Sequence, residues 1–164
     1  LLEKFKIGFH LMVNDPIKLV DQAEKLKAQR IVAQVEMMPD QEEFVKLVLK
    51  KKMKAGLALD LRTPVDKIDK KVLSKINIIL LMTVKAGWGG QELQKQRLKE
   101  VKELRKLREK KGYKFKIGVD GGVNEKTIKD CVKAGVEILA MGSATWKSKN
   151  IKKTMKELKL IARG

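Results

Sequence analysis

Two residues of this chain carry most of its chemical promise, Asp120 and His10. Asp120 closes the apolar run of KIGVDGGVNEKTI (residues 116–128), and two glycines follow it at once. A carboxylate held at a strand end can take and return a proton, and a helix after it would fix its place. His10 is the only histidine and stands at the end of the first apolar run. If both runs are parallel strands, both residues reach the same rim. There a carboxylate and an imidazole can share a divalent metal or flank a substrate carbonyl. The bland alternatives weigh as much on spacing alone. Asp120 can be a turn or cap residue ahead of Asn124 and Glu125, and His10 a satisfied core histidine.

Glycine-bearing turns follow three consecutive strand candidates: MTVKAGWGGQ, VDGGV and MGSATW. Glycine lets backbone N–H groups approach phosphate oxygens, and a serine opening a helix adds a donor. Glycine also simply punctuates turns. Three such turns in succession favour a phosphorylated ligand over punctuation alone.

These residues need a scaffold whose strands all end on one side. Short apolar runs predict strands near 5–13, 30–36, 55–61, 77–84, 114–119 and 136–141. INIILLMTV lacks polar alternation, as a parallel strand buried on both faces should. Between them, lysine-rich amphipathic stretches predict helices near 16–28, 41–52, 67–74, 91–111, 125–134 and 149–162. In the fourth, Leu93, Leu98, Val101, Leu104 and Leu107 approximate one apolar stripe, as on the outer layer of an α/β protein. Six βα units imply an α/β fold with a parallel sheet inside and helices outside. No linker or low-complexity tract divides residues 1–164, so one domain is expected. An open doubly wound sheet and a barrel both fit. The first turn, HLMVNDP, lacks the glycine-rich dinucleotide pattern, which disfavours the former.

Bulk composition narrows the partners. The chain has 164 residues, 43% of them hydrophobic, enough for a real core. No apolar run is long and uncharged enough to cross a bilayer, and no signal peptide is visible. Cys131 is the single cysteine, which excludes an intrachain disulfide and fits the cytoplasm. The net charge of +18 would suit nucleic acid or another polyanion. Yet lysine far outnumbers arginine and aromatics are only 4%, so nucleic acid is disfavoured and a lysine-coated surface preferred.

The stretches HLMVNDP, GLALDLRTPVD, LLMTVKAGWGGQ, IGVDGGVNEKTI and AGVEILAMGSATW, in this order, resemble the ribulose-phosphate 3-epimerase family. The resemblance implies a TIM barrel and proton exchange at carbon 3 of a pentulose 5-phosphate through a metal-stabilised enediolate. It makes Asp120 one of two acid/base aspartates and, with His10, a ligand of a divalent metal of the Zn, Fe, Mn or Co type. It also gives His10 a contact with the substrate. Gly87, Trp88, Gly89, Gly90, Gly121, Gly122, Gly142 and Ser143 would line the phosphate side.

The departures are specific. A (βα)8 barrel takes about 250 residues and eight strands, whereas six strands are visible from what would be the family's third. The second aspartate and a further metal-binding histidine fall outside the matching stretches. Gly8 and Phe9 precede His10 where the family has an aspartate and a small apolar residue. Gln34 replaces a histidine although Glu36 remains, Ala86 replaces a proline, and Trp88 a phenylalanine. The chain, starting at Leu1, is then either a fragment or a short barrel. A complete short barrel would leave two strand edges open, which predicts a homo-oligomer or a compacted barrel. A remnant that binds the sugar phosphate without turning it over is the alternative function.

Overall fold

The computed structural model describes residues 6–163. Its strands are β1 (Gly8–Leu11), β2 (Arg30–Gln34), β3 (Lys54–Leu59), β4 (Ile78–Met82), β5 (Lys116–Asp120) and β6 (Ile138–Ala140). They form one sheet in sequence order, and every neighbouring pair is parallel. The helices are α1 (Val20–Lys25), α2 (Gln41–Lys50), α3 (Leu98–Lys111), α4 (Ile128–Ala134), α5 (Ser143–Trp146) and α6 (Ile151–Arg163).

The sheet buries both faces, as the unbroken apolar runs require. One face packs Ile31, Leu57, Ile79, Leu81 and Ile117 against Phe44, Val48, Val101 and Leu104 of the helices. The other face holds a smaller cluster of Val32, Ala58, Ile78 and Leu80, with Ile138 against it. Two glycines make that inner face fit. A methyl group on Gly56 would lie 2.3 Å from Ile78, and one on Gly118 would lie 2.9 Å from Leu80. Large side chains on β4 thus fill the space that glycines leave on β3 and β5. The result is a curled half-barrel with helices outside, the α/β arrangement of the TIM-barrel type that was expected.

Several expected bounds shift. The first strand's predicted start at Phe5 lies outside the described residues, and β1 itself stops at Leu11. The segment 67–74 is not a helix. It is a run of turns after a short 3-10 helix, Val65–Lys67. Its backbone groups bond to side chains instead: Gln41 accepts from the Asp69 N–H and donates to the Lys67 carbonyl, and Asp69 accepts from the Lys71 N–H. Such local partners compete with helical hydrogen bonds. The predicted helix 91–111 begins only at Leu98, behind a 3-10 turn at Lys95–Arg97. The Gln94 N–H is already committed to the Thr83 carbonyl at 2.8 Å. Predicted strand 114–119 is displaced by one or two residues, so that Asp120 is the last strand residue and pairs in register with Met82 and Ala140.

Candidate active site

Because all six strands run the same way, their C-terminal ends share one rim. His10 comes from β1, Gln34 from the end of β2, Asp120 from the end of β5. His10 Nδ1 lies 3.4 Å from Asp120 Oδ2, and His10 Nε2 lies 3.3 Å from Gln34 Oε1. The imidazole is half-buried, and Gln34 is only 5% exposed. With its proton on Nδ1 the neutral ring donates to Asp120 and accepts from the Gln34 amide once that amide presents its NH2. His10 thus meets a carboxylate and an amide at the rim.

The backbone behind Asp120 is tied down by Thr83, which follows β4 and is fully buried. Its N–H donates to the Asp120 carbonyl at 2.8 Å, and its hydroxyl to the Gly121 carbonyl at 2.6 Å. The carboxylate is therefore carried on a fixed strand end, not on a loose turn. Just beyond it Gly122 sits at φ +66° against the Leu93 backbone. An added methyl group would lie 2.3 Å from the Leu93 nitrogen. Only glycine combines that left-handed conformation with that approach. Asn124 then orders the turn into α4, its side chain accepting from the Lys126 N–H and donating to the Gly122 carbonyl.

A cavity of about 230 Å³ opens beside Asp120. Gly87, Trp88, Gly89 and Gly90 of the loop after β4 form one wall. Gly121 and Gly122 form a second, and Gly142 and Ser143 after β6 a third. All nine residues expected besides His10 thus meet at one cavity, and His10 touches it through Asp120. At Gly87, Gly89 and Gly142 an added methyl group would meet nothing within 4 Å, so bare backbone faces open space there. The Gln91 side chain holds the loop shape by donating to the carbonyls of Lys85 and Trp88. Lys85 also lines the cavity and supplies a positive charge suited to an anion.

A second cavity, about 410 Å³, adjoins the first and shares Met12, Ala86 and Gly87 with it. Gln34, Glu36 and Asp60 bring polar groups to it. Thr83 and Asp60 join the site without any motif to mark them. Thr83 was visible as a lone hydroxyl inside an apolar run. Asp60, directly after GLAL, was visible as another strand-end carboxylate.

His10 and Asp120 offer a cation two donors. Metal centres of the zinc type take three or four protein ligands. Among the described residues no group of three or more His, Cys, Asp or Glu side chains comes together. The described donor set therefore does not by itself fit a divalent metal. No described helix is long and apolar enough to cross a membrane.

Known proteins match this arrangement in sequence and in fold. The chain is 33% identical to the ribulose-phosphate 3-epimerase of Bacillus subtilis over 93% of its length and 70% of the relative's. It is 31% identical to the Escherichia coli (strain K12) enzyme of that name, over 93% and 68%. Among solved structures, KGPDC from Streptococcus mutans superposes with a TM-score of 0.75 over 98% of this chain and 73% of that one, at 16% identity. Orotidine 5'-monophosphate decarboxylase from Sulfolobus solfataricus gives 0.68 over 96% and 73%, also at 16% identity. These last two bear on the fold alone, and they agree with a TIM-barrel type. The model of the ribulose-phosphate 3 epimerase family matches residues 1–146, and the chain belongs to that family of isomerases.

Proposed function

We propose that this chain exchanges the proton at carbon 3 of a pentulose 5-phosphate, with Asp120 as an acid/base. The observation that carries the reading is the convergence of a strand-end carboxylate and three glycine-lined walls on one cavity. A phosphate would rest against the bare backbone of Gly87, Gly89 and Gly142, with Ser143 and Lys85 as further partners. The sugar carbons would then run from that pole toward Asp120 and His10. Asp120 would take the proton from carbon 3, which is acidified by the neighbouring carbonyl at carbon 2. The resulting enediolate would take a proton on the opposite face from solvent water or from a second acid outside the described residues, Asp120 would release its own proton to solvent, and the configuration inverts. His10, oriented by Gln34, would set the direction of the Asp120 carboxylate through its Nδ1–H.

The divalent metal implied by the family resemblance would find two donors here, His10 and Asp120. Further protein donors would have to come from outside the described residues. A second reading is favoured by that incomplete donor set and by the single placed acid/base: a site that binds the sugar phosphate without turning it over. Incubating the chain with D-ribulose 5-phosphate in D2O, with and without added divalent metal, separates the two. Deuterium entering at carbon 3 supports the epimerase. Saturable binding of the sugar phosphate with no deuterium uptake would replace it by the binding reading.

A further inference from the structure

The region behind the second cavity contains a buried charge that the catalytic reading leaves unused. Arg97 is only 2% exposed, although it lies in a segment otherwise rich in solvated lysine. A guanidinium is tolerated inside a protein only where its charge and its N–H groups are met. Here Nη2 donates to two carbonyls of the loop after β3, those of Asp60 and Thr63, each at 2.8 Å. Nη1 pairs with both carboxylate oxygens of Glu100, one turn along on α3. The Nε–H is buried with no partner, so the Nη contacts dictate the placement of the side chain.

The two segments joined in this way both reach the mouth. The loop after β3 brings Asp60 to the second cavity. Arg97 belongs to the segment that ends the glycine loop, and its N–H donates to the Gln94 carbonyl, whose own N–H is pinned to Thr83. The Asp60 peptide is gripped from the other side as well, since its N–H donates to Glu36 Oε1 at 2.8 Å. One line of contacts, Glu36 to Asp60 to Arg97 to Glu100, therefore ties together the chain segments after β2, β3 and β4.

We propose that Arg97 is a positioning residue for the candidate active site. It fixes the loop after β3 against the segment carrying the glycine loop and so sets the width of the mouth between the two cavities. Its consequence for the substrate rests on the epimerase reading above, whereas the tether itself does not. A planar guanidinium that holds two carbonyls with one nitrogen and a carboxylate with the other does a task for which lysine, with its donors on one nitrogen, is a poor substitute.

The test compares the unaltered chain with Arg97→Met, Arg97→Lys and Glu100→Gln. Amide hydrogen exchange over residues 60–67 reads the tether, and steady-state rates with D-ribulose 5-phosphate read its consequence. In Arg97→Met, exchange should speed up at least about tenfold, locally, and KM should rise several-fold with a smaller change in kcat. Arg97→Lys should recover part of both losses. A merely structural role would lower Tm and the active fraction and leave KM where it was; that result would overturn the proposal. So would unchanged local exchange. If Arg97→Met does not fold, Glu100→Gln, which keeps the fork and weakens its counter-charge, should show the same local loosening in smaller degree. A chain that neither binds nor turns over the sugar phosphate would defeat the epimerase reading, and with it the substrate consequence, while exchange over 60–67 still decides the tether.

Discussion

His10 Nδ1 and Asp120 Oδ2 are 3.4 Å apart although three strands separate β1 from β5 in the sheet. In a flat sheet four strand intervals would put their backbones about 19 Å apart, beyond the reach of an imidazole and a carboxylate. Their contact measures the curl of the sheet, and the curl is what turns six strand ends into one mouth. A group from β1 can then act on the same small molecule as a group from β5.

Asp120→Asn should test that mouth most directly. The amide keeps the size of the carboxylate and a polar contact with His10, but it cannot hold a proton for exchange. Deuterium uptake at carbon 3 of ribulose 5-phosphate should fall by about 10³-fold, within the range for loss of a general base. Binding of the sugar phosphate should stay within a few-fold. Residual exchange near the unaltered rate would remove Asp120 from the chemistry.

Gly122→Ala should fail for a different reason. The residue sits at φ +66°, and the new methyl group would be driven to 2.3 Å from the Leu93 backbone nitrogen. Backbone has no flexible end to swing aside, so the loop behind the cavity must shift. A cost of about 2 kcal/mol or more is expected, which lowers Tm by about 4–8 °C in a chain of this size. Gly89→Ala is the control, because a methyl group there meets nothing within 4 Å. Equal melting temperatures for the two variants would contradict the close approach.

The scaffold was legible wherever the sequence had a single strong period. IIL in the fourth strand is apolar on both faces, and GVD stops on a charge where the sheet stops. The glycine clusters were legible for the same reason, since few contexts need bare backbone at three strand ends. The stretch 67–74 misled because its apolar residues, Ile68, Val72 and Leu73, are buried from bends and turns and not from a helix. The competing bonds come from Gln41, 28 residues before Asp69. Arg97 was invisible for a similar reason. Its partners at Asp60 and Thr63 are 37 and 34 residues away, and nothing in a lysine-rich stretch marks which cation turns inward. Contacts set by curl and tether are tertiary, and local pattern carries no trace of them.

Cys131 offers a stability prediction with a defined sign. The thiol is fully buried on α4, and burial pushes its pKa from 9.0 up to about 11, with Asp130 adding to the effect. The folded chain therefore keeps the proton where the unfolded chain releases it. Stability should be level with respect to this group below pH 9 and should decline between about pH 9 and 11. Many lysines titrate in the same window, so the comparison with Cys131→Ala isolates the thiol. The alanine variant should melt lower throughout, and the gap to the unaltered chain should narrow as pH rises from 9 to 11. A gap constant over that range would show that the thiol is not desolvated as described.

Gln34→Leu tests whether His10 is aimed or merely present. Gln34 is buried, and its amide oxygen stands 3.3 Å from His10 Nε2 on the side away from Asp120. Leucine keeps the volume and removes the partner. A half-buried ring nitrogen left without a hydrogen bond costs about 1 kcal/mol, so Tm should drop by about 2–4 °C. The functional loss should be larger than that cost predicts for the folded fraction. Freed from Gln34, the ring can rotate, and its Nδ1 no longer points at Asp120. The exchange rate at carbon 3 should then fall by about tenfold at saturating substrate, while the bare-backbone walls at Gly87 and Gly142 keep phosphate affinity unchanged. Gln34→Glu keeps the length but removes the NH2 that Nε2 accepts from, so it should not recover the melting temperature. If Gln34→Leu lowers Tm but leaves the exchange rate intact, His10 is held by packing alone, and the aim of the imidazole toward Asp120 has no part in the reaction.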